Sequence, residues 1–240
     1  MPSSRQPAAL NTRIAEPTTL EQYRFRRVAL VRSRRVGGGL MMNHSSLGHI
    51  PGLEIGTGRH ICALYFGDDE RDDVLLPYLR DGLSRGSKCV VGISAAQPTE
   101  LYQEINDAER YVASTQLVVR TSQDPLLAVE DFSIERLIEF WDATVLSALQ
   151  DGYPFVRLGA EAAWWMPQVP GMPEFIRYET ELNRYAARHA QSILCLYDLT
   201  RYGAGVIVDL LRVHPIILLS GLVLENPYYL PPDELLAVQG

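Results

Sequence analysis

The sequence predicts an α/β protein in which helices cover both faces of a mainly parallel sheet. From residue 59 onward, short apolar runs alternate with longer segments whose apolar residues recur every three to four positions. Most of the short runs are hydrophobic nearly throughout, which is typical of strands that are buried on both faces. Six such strands joined by five helical connections imply parallel pairing and a three-layer architecture.

Strands are predicted at residues 59–66, 88–94 and 116–120 in the first half of this region. The helix between the first two, residues 71–85, follows three consecutive acidic residues, which favour the positive end of a helix dipole. A glycine after residue 85 favours the end of that helix. A proline at position 98 begins a second helix, which extends to about residue 108.

The second half continues the alternation. Ser133 is a candidate N-cap for a long helix at residues 134–151. Three prolines predict a loop between residues 164 and 173, since proline disfavours helix interiors. The remaining strands are predicted at 155–160, 192–197 and 216–224, and the remaining helices at 174–191 and 204–213.

The first 45 residues differ from the rest in composition. They hold eight arginines and two acids, which leaves 14 basic and 27 acidic residues in the remainder of the chain. We expect residues 1–45 to be a disordered leader and residues 46–240 to form one folded domain. Because nucleic-acid binding needs clustered cations, the acidic folded domain is not expected to bind nucleic acid.

No apolar run approaches the roughly 18 to 20 residues that a membrane span requires. No signal-peptide pattern is present either, so we expect a cytoplasmic protein with no membrane association. The three cysteines, Cys62, Cys89 and Cys195, each lie in an apolar run. An odd number of widely spaced cysteines indicates buried free thiols rather than disulfides or metal ligands.

The order of strands and helices is similar to the RecA-like core of ATPases. Such a core holds nucleotide phosphates with a glycine-rich loop and a lysine, the Walker A loop, after the first strand. The corresponding segment, residues 66–73, has one glycine, no lysine and five acids. Carboxylates at this position repel a triphosphate. We therefore predict a RecA-like sheet without a Walker A loop and without nucleotide hydrolysis.

Aromatic and polar residues follow several of the predicted strands. The carboxyl ends of parallel strands form one edge of the sheet, which is called the carboxyl rim below, and this edge holds ligands in open α/β proteins. Aromatic walls with few polar groups are typical of small-molecule pockets. We predict that the rim binds a ligand through Tyr65, Glu161, Trp164, Tyr197, Asp198 and Asn226.

Tyr178 and Glu179, on the predicted helix 174–191, are further ligand-binding candidates. A solvated helix face explains these two residues equally well. Trp164 has the alternative role of sealing a loop against the sheet. For Glu161 we favour pairing with Arg157, which lies four residues earlier and on the same face of the strand.

Two histidines are interpreted as structural. His60 begins the first strand, at the opposite end of the sheet from the rim. His214 precedes a proline and ends its helix, where an imidazolium suits the negative end of the helix dipole, so capping is favoured over metal binding. No HxxxH, HExxH or CxxC spacing occurs. The sequence thus predicts no metal, no cofactor and no catalytic residues.

Several segments together resemble one family, the MEDS domain. This sensory domain is known from a dichloromethane-responsive regulator and from methanogen and methylotroph signalling proteins. The resemblance spans roughly residues 58–232 and rests on His60 to Tyr65, Gly82 to Gly86, Arg157 to Trp164, Tyr178-Glu179 with Asn183, Cys195 to Asp198, and His214-Pro215.

The resemblance implies a non-catalytic sensor for a small organic molecule, such as a one-carbon or halogenated compound or a related metabolite. Domains of this family are commonly joined to a DNA-binding or kinase output, and we expect no such output within this chain. We therefore expect the signal to pass to a separate protein, and a homodimer is left open. The alternative is a nucleotide-free RecA-like interaction module that regulates a kinase or sigma-factor pathway.

Overall fold

The computed structural model of the protein describes residues 52–95, 98–121, 133–165, 171–220 and 222–239. The predicted leader, residues 1–45, lies outside the described residues. Among the helices that are described, none combines the length and the hydrophobicity needed to cross a membrane.

One sheet of seven strands forms the centre of the domain. The strands are β1 (Arg59–Tyr65), β2 (Lys88–Gly92), β3 (Leu117–Arg120), β4 (Val156–Glu161), β5 (Gln191–Asp198), β6 (Ile216–Leu219) and β7 (Leu222–Glu225). Their order across the sheet is β3-β2-β4-β5-β1-β6-β7. All neighbouring strands are parallel except β6 and β7, which are antiparallel.

Helices cover both faces of this sheet, which confirms the predicted three-layer α/β fold. They are α1 (Gly67–Ser84), α2 (Thr99–Gln103), α3 (Ala108–Ala113), α4 (Ile134–Gln150), α5 (Ala162–Trp165), α6 (Met172–Ala186), α7 (Ala204–Val213) and α8 (Pro232–Gln239). The core on one face contains buried residues of α1, α2 and α3. The core on the other face contains buried residues of α4, α6, α7 and α8.

Alternation along the central strands decides which side chains face which helices. In β1, Ile61 packs into the core beneath α1, whereas Cys62 packs into the core beneath α6 and α7. Cys62 is paired in register with Cys195 of β5, and His60 with Ile193. His60 therefore lies on the same face as Cys62 and Cys195, under α6 and α7.

The predicted sixth strand, residues 216–224, is wrong. This segment is a hairpin in which β7 returns antiparallel to β6. Ser220, immediately after β6, has a left-handed backbone with φ 45°. Both arms are apolar, so the run has no change of pattern, and only the Ser-Gly pair at positions 220 and 221 indicates a turn. The hairpin returns Asn226 to the amino end of β6, where its backbone N–H donates to the carbonyl of Pro215 at 2.9 Å.

The helix predicted at residues 98–108 is two short helices, α2 and α3. Asp107, immediately before α3, has a positive φ of 57°, which interrupts the helical backbone. The C-terminal helix α8 was not predicted, because its eight residues show little separation of apolar and polar faces.

Candidate functional site

The carboxyl rim holds three of the predicted site residues: Tyr65, Glu161 and Asp198 at the ends of β1, β4 and β5. Glu161 is 1% exposed. It accepts hydrogen bonds from the backbone amide of Ser94 at 2.6 Å and from the Ser94 hydroxyl. Arg71 of α1 donates to its other oxygen at 3.0 Å. The buried charge of Glu161 thus has a cation and two further donors.

Asp198 is also provided with donors. It accepts from the backbone amide and hydroxyl of Thr200 at 2.9 and 2.7 Å, and from Arg201 at 3.3 Å. Burial alone raises the pKa of Asp198, but these bonds outweigh it and lower the pKa below its usual value. Burial raises the pKa of the Tyr65 phenol, and the charges of Glu161 and Asp198 raise it further.

The predicted pair between Arg157 and Glu161 is wrong. Both side chains face α1, as alternation requires, but four residues of a strand span about 13 Å, which is too far for contact. Arg157 instead pairs with Asp81 of α1 and donates to the carbonyl of Tyr78 at 2.8 Å. Glu161 pairs with Arg71, which lies near the N-terminal end of α1.

A second group of polar side chains lies inside the core, between the sheet and helices α6 and α7. It consists of His60, Glu179, Cys195 and His214, and is called the buried tetrad below. Three of the four are 0% exposed and Cys195 is 5% exposed. The Glu179 Oε2 atom lies 3.3 Å from the Nε2 atoms of both His60 and His214. The Cys195 Sγ atom lies 3.3 Å from His60 Nε2 and 3.8 Å from Glu179 Oε2.

Local structure explains how four distant positions meet. Glu179 lies on the buried side of the amphipathic helix α6, between Phe175 and Leu182. Cys195 and Tyr197 are two residues apart on β5 and so face the same helix layer. His214 is the C-cap of α7, and its Nδ1 atom lies 2.9 Å from the carbonyl of Leu210 in the last turn. The predicted capping role of His214 agrees with this contact.

The tetrad places a fully buried carboxylate in the core. Burial raises the pKa of Glu179, but the adjacent imidazoles of His214 and His60 outweigh it and lower the pKa to about 2. Burial, and then the neighbouring His214, lower the pKa of His60. Burial and the charge of Glu179 raise the pKa values of Cys195 and Tyr197. These shifts favour the ionised form of Glu179, the neutral form of His60, and the protonated thiol and phenol of Cys195 and Tyr197.

Tyr197 completes this environment. Its hydroxyl donates to Glu179 Oε1 at 2.8 Å, and its side chain is 0% exposed. The prediction that Tyr197 lines the rim is therefore wrong, because its side chain faces the helix layer. The alternative that Tyr178 and Glu179 form a solvated helix face is also wrong, since both are buried.

A small apolar cavity adjoins the tetrad. It has a volume of about 20 Å³ and is lined by Trp141, Leu158, Gly159, Ala160, Tyr178, Leu182, Ile193 and Cys195. The hydroxyl of Tyr178 accepts a hydrogen bond from Trp141 Nε1 at 2.9 Å, so these two residues present mainly ring carbon to the cavity. Cys195 belongs to both the cavity wall and the tetrad.

Two predicted site residues do not join either group. Asn226 donates to the carbonyls of Leu211 and His214, the latter at 2.7 Å, and so fixes the end of α7. Its predicted place at the rim is wrong because of the β6–β7 hairpin. The backbone of Trp164 belongs to α5, but its side chain lies outside the described residues.

Sequence reasoning missed the tetrad as a unit. It treated His60 and His214 as separate structural residues and Cys195 as a buried free thiol. The available signal was the position of His60, Cys195 and His214 among strongly apolar neighbours. All three lie inside the segments that carry the family resemblance. No linear spacing marks the tetrad, because its members come from β1, α6, β5 and the end of α7.

The Transcriptional repressor DcmR of Methylorubrum extorquens is similar to this chain, with 26% identity over 175 residues. The match covers 69% of this chain and 61% of the repressor. This protein thus corresponds to less than two thirds of the repressor's length.

Two solved structures are similar to this chain. The KaiC-like protein PH0186 from Pyrococcus horikoshii OT3 matches with a TM-score of 0.50 and 10% identity, covering 72% of this chain and 78% of that one. The flagellar accessory protein FlaH from Methanocaldococcus jannaschii matches with a TM-score of 0.49 and 12% identity, covering 70% and 73%. At an identity of 10%, the match to the KaiC-like protein concerns the fold alone.

The sequence model of the MEDS family, described as the MEthanogen/methylotroph, DcmR Sensory domain, matches residues 59–215. The matched range includes all four residues of the buried tetrad and every residue that lines the adjoining cavity. The chain therefore belongs to the MEDS family of sensory domains.

Proposed function

We propose that this protein is a non-catalytic regulatory sensor, which binds a small organic molecule and passes the signal to a separate protein. Its membership of a sensory-domain family and its similarity to a transcriptional repressor support a regulatory role. The observation that carries the ligand assignment is the apolar cavity between α4, α6 and strands β4 and β5.

The size and lining of the cavity favour a ligand of very few atoms. One water molecule needs about 10–15 Å³ by the same measure, and apolar cavities of this kind stay dry and take up apolar guests. At about 20 Å³, the cavity matches a one-carbon compound more closely than a sugar or a nucleotide. A halogenated one-carbon compound is the ligand class that we propose.

Binding at this position couples to helix α6. A guest larger than the cavity has to displace Tyr178 and Leu182 of α6 or Trp141 of α4, because packed cores have little free volume. On its outer side, Arg184 of α6 forms an ion pair with Asp233 of α8. A ligand that favours a shifted α6 therefore changes the α6–α8 surface, which we propose as the surface that a cytoplasmic signalling partner reads.

The carboxyl rim is the other location for a ligand, and it remains a prediction for Tyr65, Glu161, Trp164 and Asp198. The carboxylates of the rim already accept hydrogen bonds from the protein. Ser94 and Arg71, for example, both donate to Glu161. That leaves fewer polar groups for a ligand than the sequence alone indicated. We therefore place the ligand in the cavity beneath α6.

An interaction module without a ligand is the second candidate function. The feature that favours it is the junction between β1 and α1, where the helix begins at Gly67 with no intervening phosphate loop. The backbone of Gly67 contributes to the lowered pKa of Asp198, so a carboxylate lies where a RecA-like ATPase binds phosphate. This arrangement supports a role in binding partners rather than nucleotides.

Calorimetric titration with dichloromethane distinguishes these proposals. Ala160 lines the cavity, so Ala160→Val fills it, whereas Ala160→Ser keeps nearly the original volume and is the matched control. We expect binding to the wild type and to Ala160→Ser, and its loss in Ala160→Val. Tyr65→Phe at the rim should bind normally.

Loss of binding in Tyr65→Phe with retention in Ala160→Val would move the ligand to the rim. Absence of binding to the wild type would leave the halogenated one-carbon assignment without support. In that case methanol and formaldehyde would be titrated as further probes. The absence of a binding heat with both would favour the interaction module.

A further inference from the structure

We propose that the buried tetrad, His60, Glu179, Cys195 and His214, is a binding site for one first-row transition-metal ion, with Zn²⁺ as the best fit. This inference does not rest on the proposed small-molecule function. The ion would lie in the core, between the central strands β1 and β5 and the helices α6 and α7.

The spacing of the donor atoms matches a tetrahedral metal site. Zinc bonds of about 2.0–2.1 Å to nitrogen or oxygen and about 2.3 Å to sulfur separate neighbouring ligand atoms by about 3.3–3.6 Å. In the tetrad, both imidazole Nε2 atoms lie 3.3 Å from Glu179 Oε2, and His60 Nε2 lies 3.3 Å from Cys195 Sγ. The sulfur lies 3.8 Å from the carboxylate. All four donor atoms lie within 4.8 Å of one another, and the tetrahedron closes once the more distant donors approach to about 3.3–3.6 Å.

The orientation of His214 leaves a lone pair facing a carboxylate. Its Nδ1 atom is 2.9 Å from the carbonyl of Leu210, and a carbonyl only accepts, so Nδ1 carries the hydrogen. In the neutral ring Nε2 is then an acceptor, yet it faces Glu179 Oε2 at 3.3 Å. Within the described part of the chain, His214 Nε2 has no hydrogen-bond partner. Two facing acceptors require a cation between them, either a proton or a metal ion.

The surroundings orient two of the four ligands, His214 and Glu179, in the manner of known metal sites. The Leu210 carbonyl fixes the tautomer of His214, and the Tyr197 hydroxyl holds the second carboxylate oxygen of Glu179 at 2.8 Å. Such outer hydrogen bonds are typical of metal-binding histidines and carboxylates. Glu179 Oε2, the oxygen that the tyrosine does not hold, is the one that faces the imidazoles and the thiol.

The donor types select the metal. Imidazole and thiolate ligands suit zinc and other late first-row ions, whereas magnesium and calcium require mostly oxygen. On binding, the S–H bond of Cys195 breaks, an S–metal bond forms, and the proton leaves to solvent. The carboxylate and thiolate then balance the two charges of the ion. Because four protein groups fill the coordination sphere, the site has the character of a structural zinc site.

The test uses the full, untagged chain, stripped with a chelator and reloaded with Co²⁺ as a spectroscopic probe. We expect one ion per chain, a sulfur-to-cobalt charge-transfer band in the near ultraviolet, and the intense visible bands of tetrahedral Co²⁺. Zn²⁺ should displace the cobalt and raise the melting temperature, whereas Mg²⁺ should do neither.

Two cysteine variants give matched results. Cys195→Ser should lose the charge-transfer band. Cys62→Ser, the equivalent change at the residue paired with Cys195 on the neighbouring strand, should keep it. Tyr197→Phe, which removes only the outer hydrogen bond, should weaken Co²⁺ affinity by about 10- to 100-fold.

X-ray absorption of the zinc-loaded wild type covers the case in which the Cys195 variant does not fold. The proposal predicts one sulfur ligand and three nitrogen or oxygen ligands at bonded distances. An all-nitrogen and oxygen sphere, or a charge-transfer band that persists in Cys195→Ser, would overturn it. So would a wild type that takes up no stoichiometric Co²⁺, since the tetrad would then be a metal-free network of carboxylate and protonated imidazole.

Discussion

The carboxyl rim and the buried tetrad each contain a carboxylate that is almost completely buried, but they satisfy it differently. At the rim, Glu161 meets a guanidinium and two donors of Ser94. In the tetrad, the Oε2 atom of Glu179 meets two imidazole nitrogens and a thiol, one of which, His214 Nε2, faces it without a hydrogen bond. A carboxylate that has a counter-charge and hydrogen-bond donors, as Glu161 does, needs no further partner. A carboxylate that faces an imidazole lone pair, as Glu179 faces His214 Nε2, fits our proposal of a bound cation.

The largest effect is expected from Glu179→Ala. Removing this carboxylate leaves two imidazoles and the Tyr197 hydroxyl without their partner in the core, which should cost about 3–5 kcal/mol of unfolding free energy. Urea denaturation followed by circular dichroism measures it. Glu174→Ala, in an exposed ion pair one turn earlier on the same helix, is the control and should cost about 0–1 kcal/mol. Equal effects of the two variants would mean that the tetrad carries no buried charge.

A smaller effect is expected at the rim from Arg71→Met. Glu161 keeps both donors of Ser94 in this variant, so the loss should be about 1–3 kcal/mol rather than the full cost of an unpaired charge. The same urea titration measures it, with Arg212→Met in an exposed pair on α7 as the control. A loss as large as that of Glu179→Ala would show that the rim is no better satisfied than the tetrad.

Acid titration sharpens the comparison at Asp198. Because folding lowers the pKa of Asp198 below its reference value of 3.8, the unfolded chain binds more protons in acid. The stability that Asp198 contributes is therefore complete above pH 3.8 and is lost as the pH falls through the lowered pKa. The difference in urea midpoint between wild type and Asp198→Asn should shrink over that range. A difference that is constant with pH would contradict the assigned hydrogen bonds.

The smallest effect on stability is expected from the addition of a nucleotide. With acidic residues at the start of α1 and Asp198 beside Gly67, the rim offers carboxylates where a triphosphate would bind. Mg-ATP at millimolar concentration should not raise the melting temperature in differential scanning fluorimetry. A clear rise would show that the rim retains a nucleotide site.

Most of the fold followed from the sequence because hydrophobic alternation is a local signal. The strand at residues 59–65 and the helix at 204–213 were placed almost without error for this reason. The β6–β7 hairpin was missed because two short apolar strands read as one run. That single error also misplaced Asn226, since it reversed the end of the sheet at which the residue lies.

The site was less predictable, because side-chain direction and long-range proximity decide it. Asp198 reaches the rim, but Tyr197 beside it points into the helix layer, as alternation along β5 requires. The tetrad joins residue 60 to residues 179, 195 and 214, and no spacing rule connects them. Only the sheet order, which places β1 between β5 and β6, brings these positions together.

Chemical-shift mapping by NMR tests most directly whether the sensing region lies beneath α6 or at the rim. Dichloromethane is titrated into the isotopically labelled protein, and the perturbed amides are located. Sensing beneath α6 predicts the largest shifts at Leu158, Ala160, Tyr178 and Cys195. Shifts concentrated at Tyr65, Ser94, Glu161 and Asp198, with the α6 amides unchanged, would contradict it.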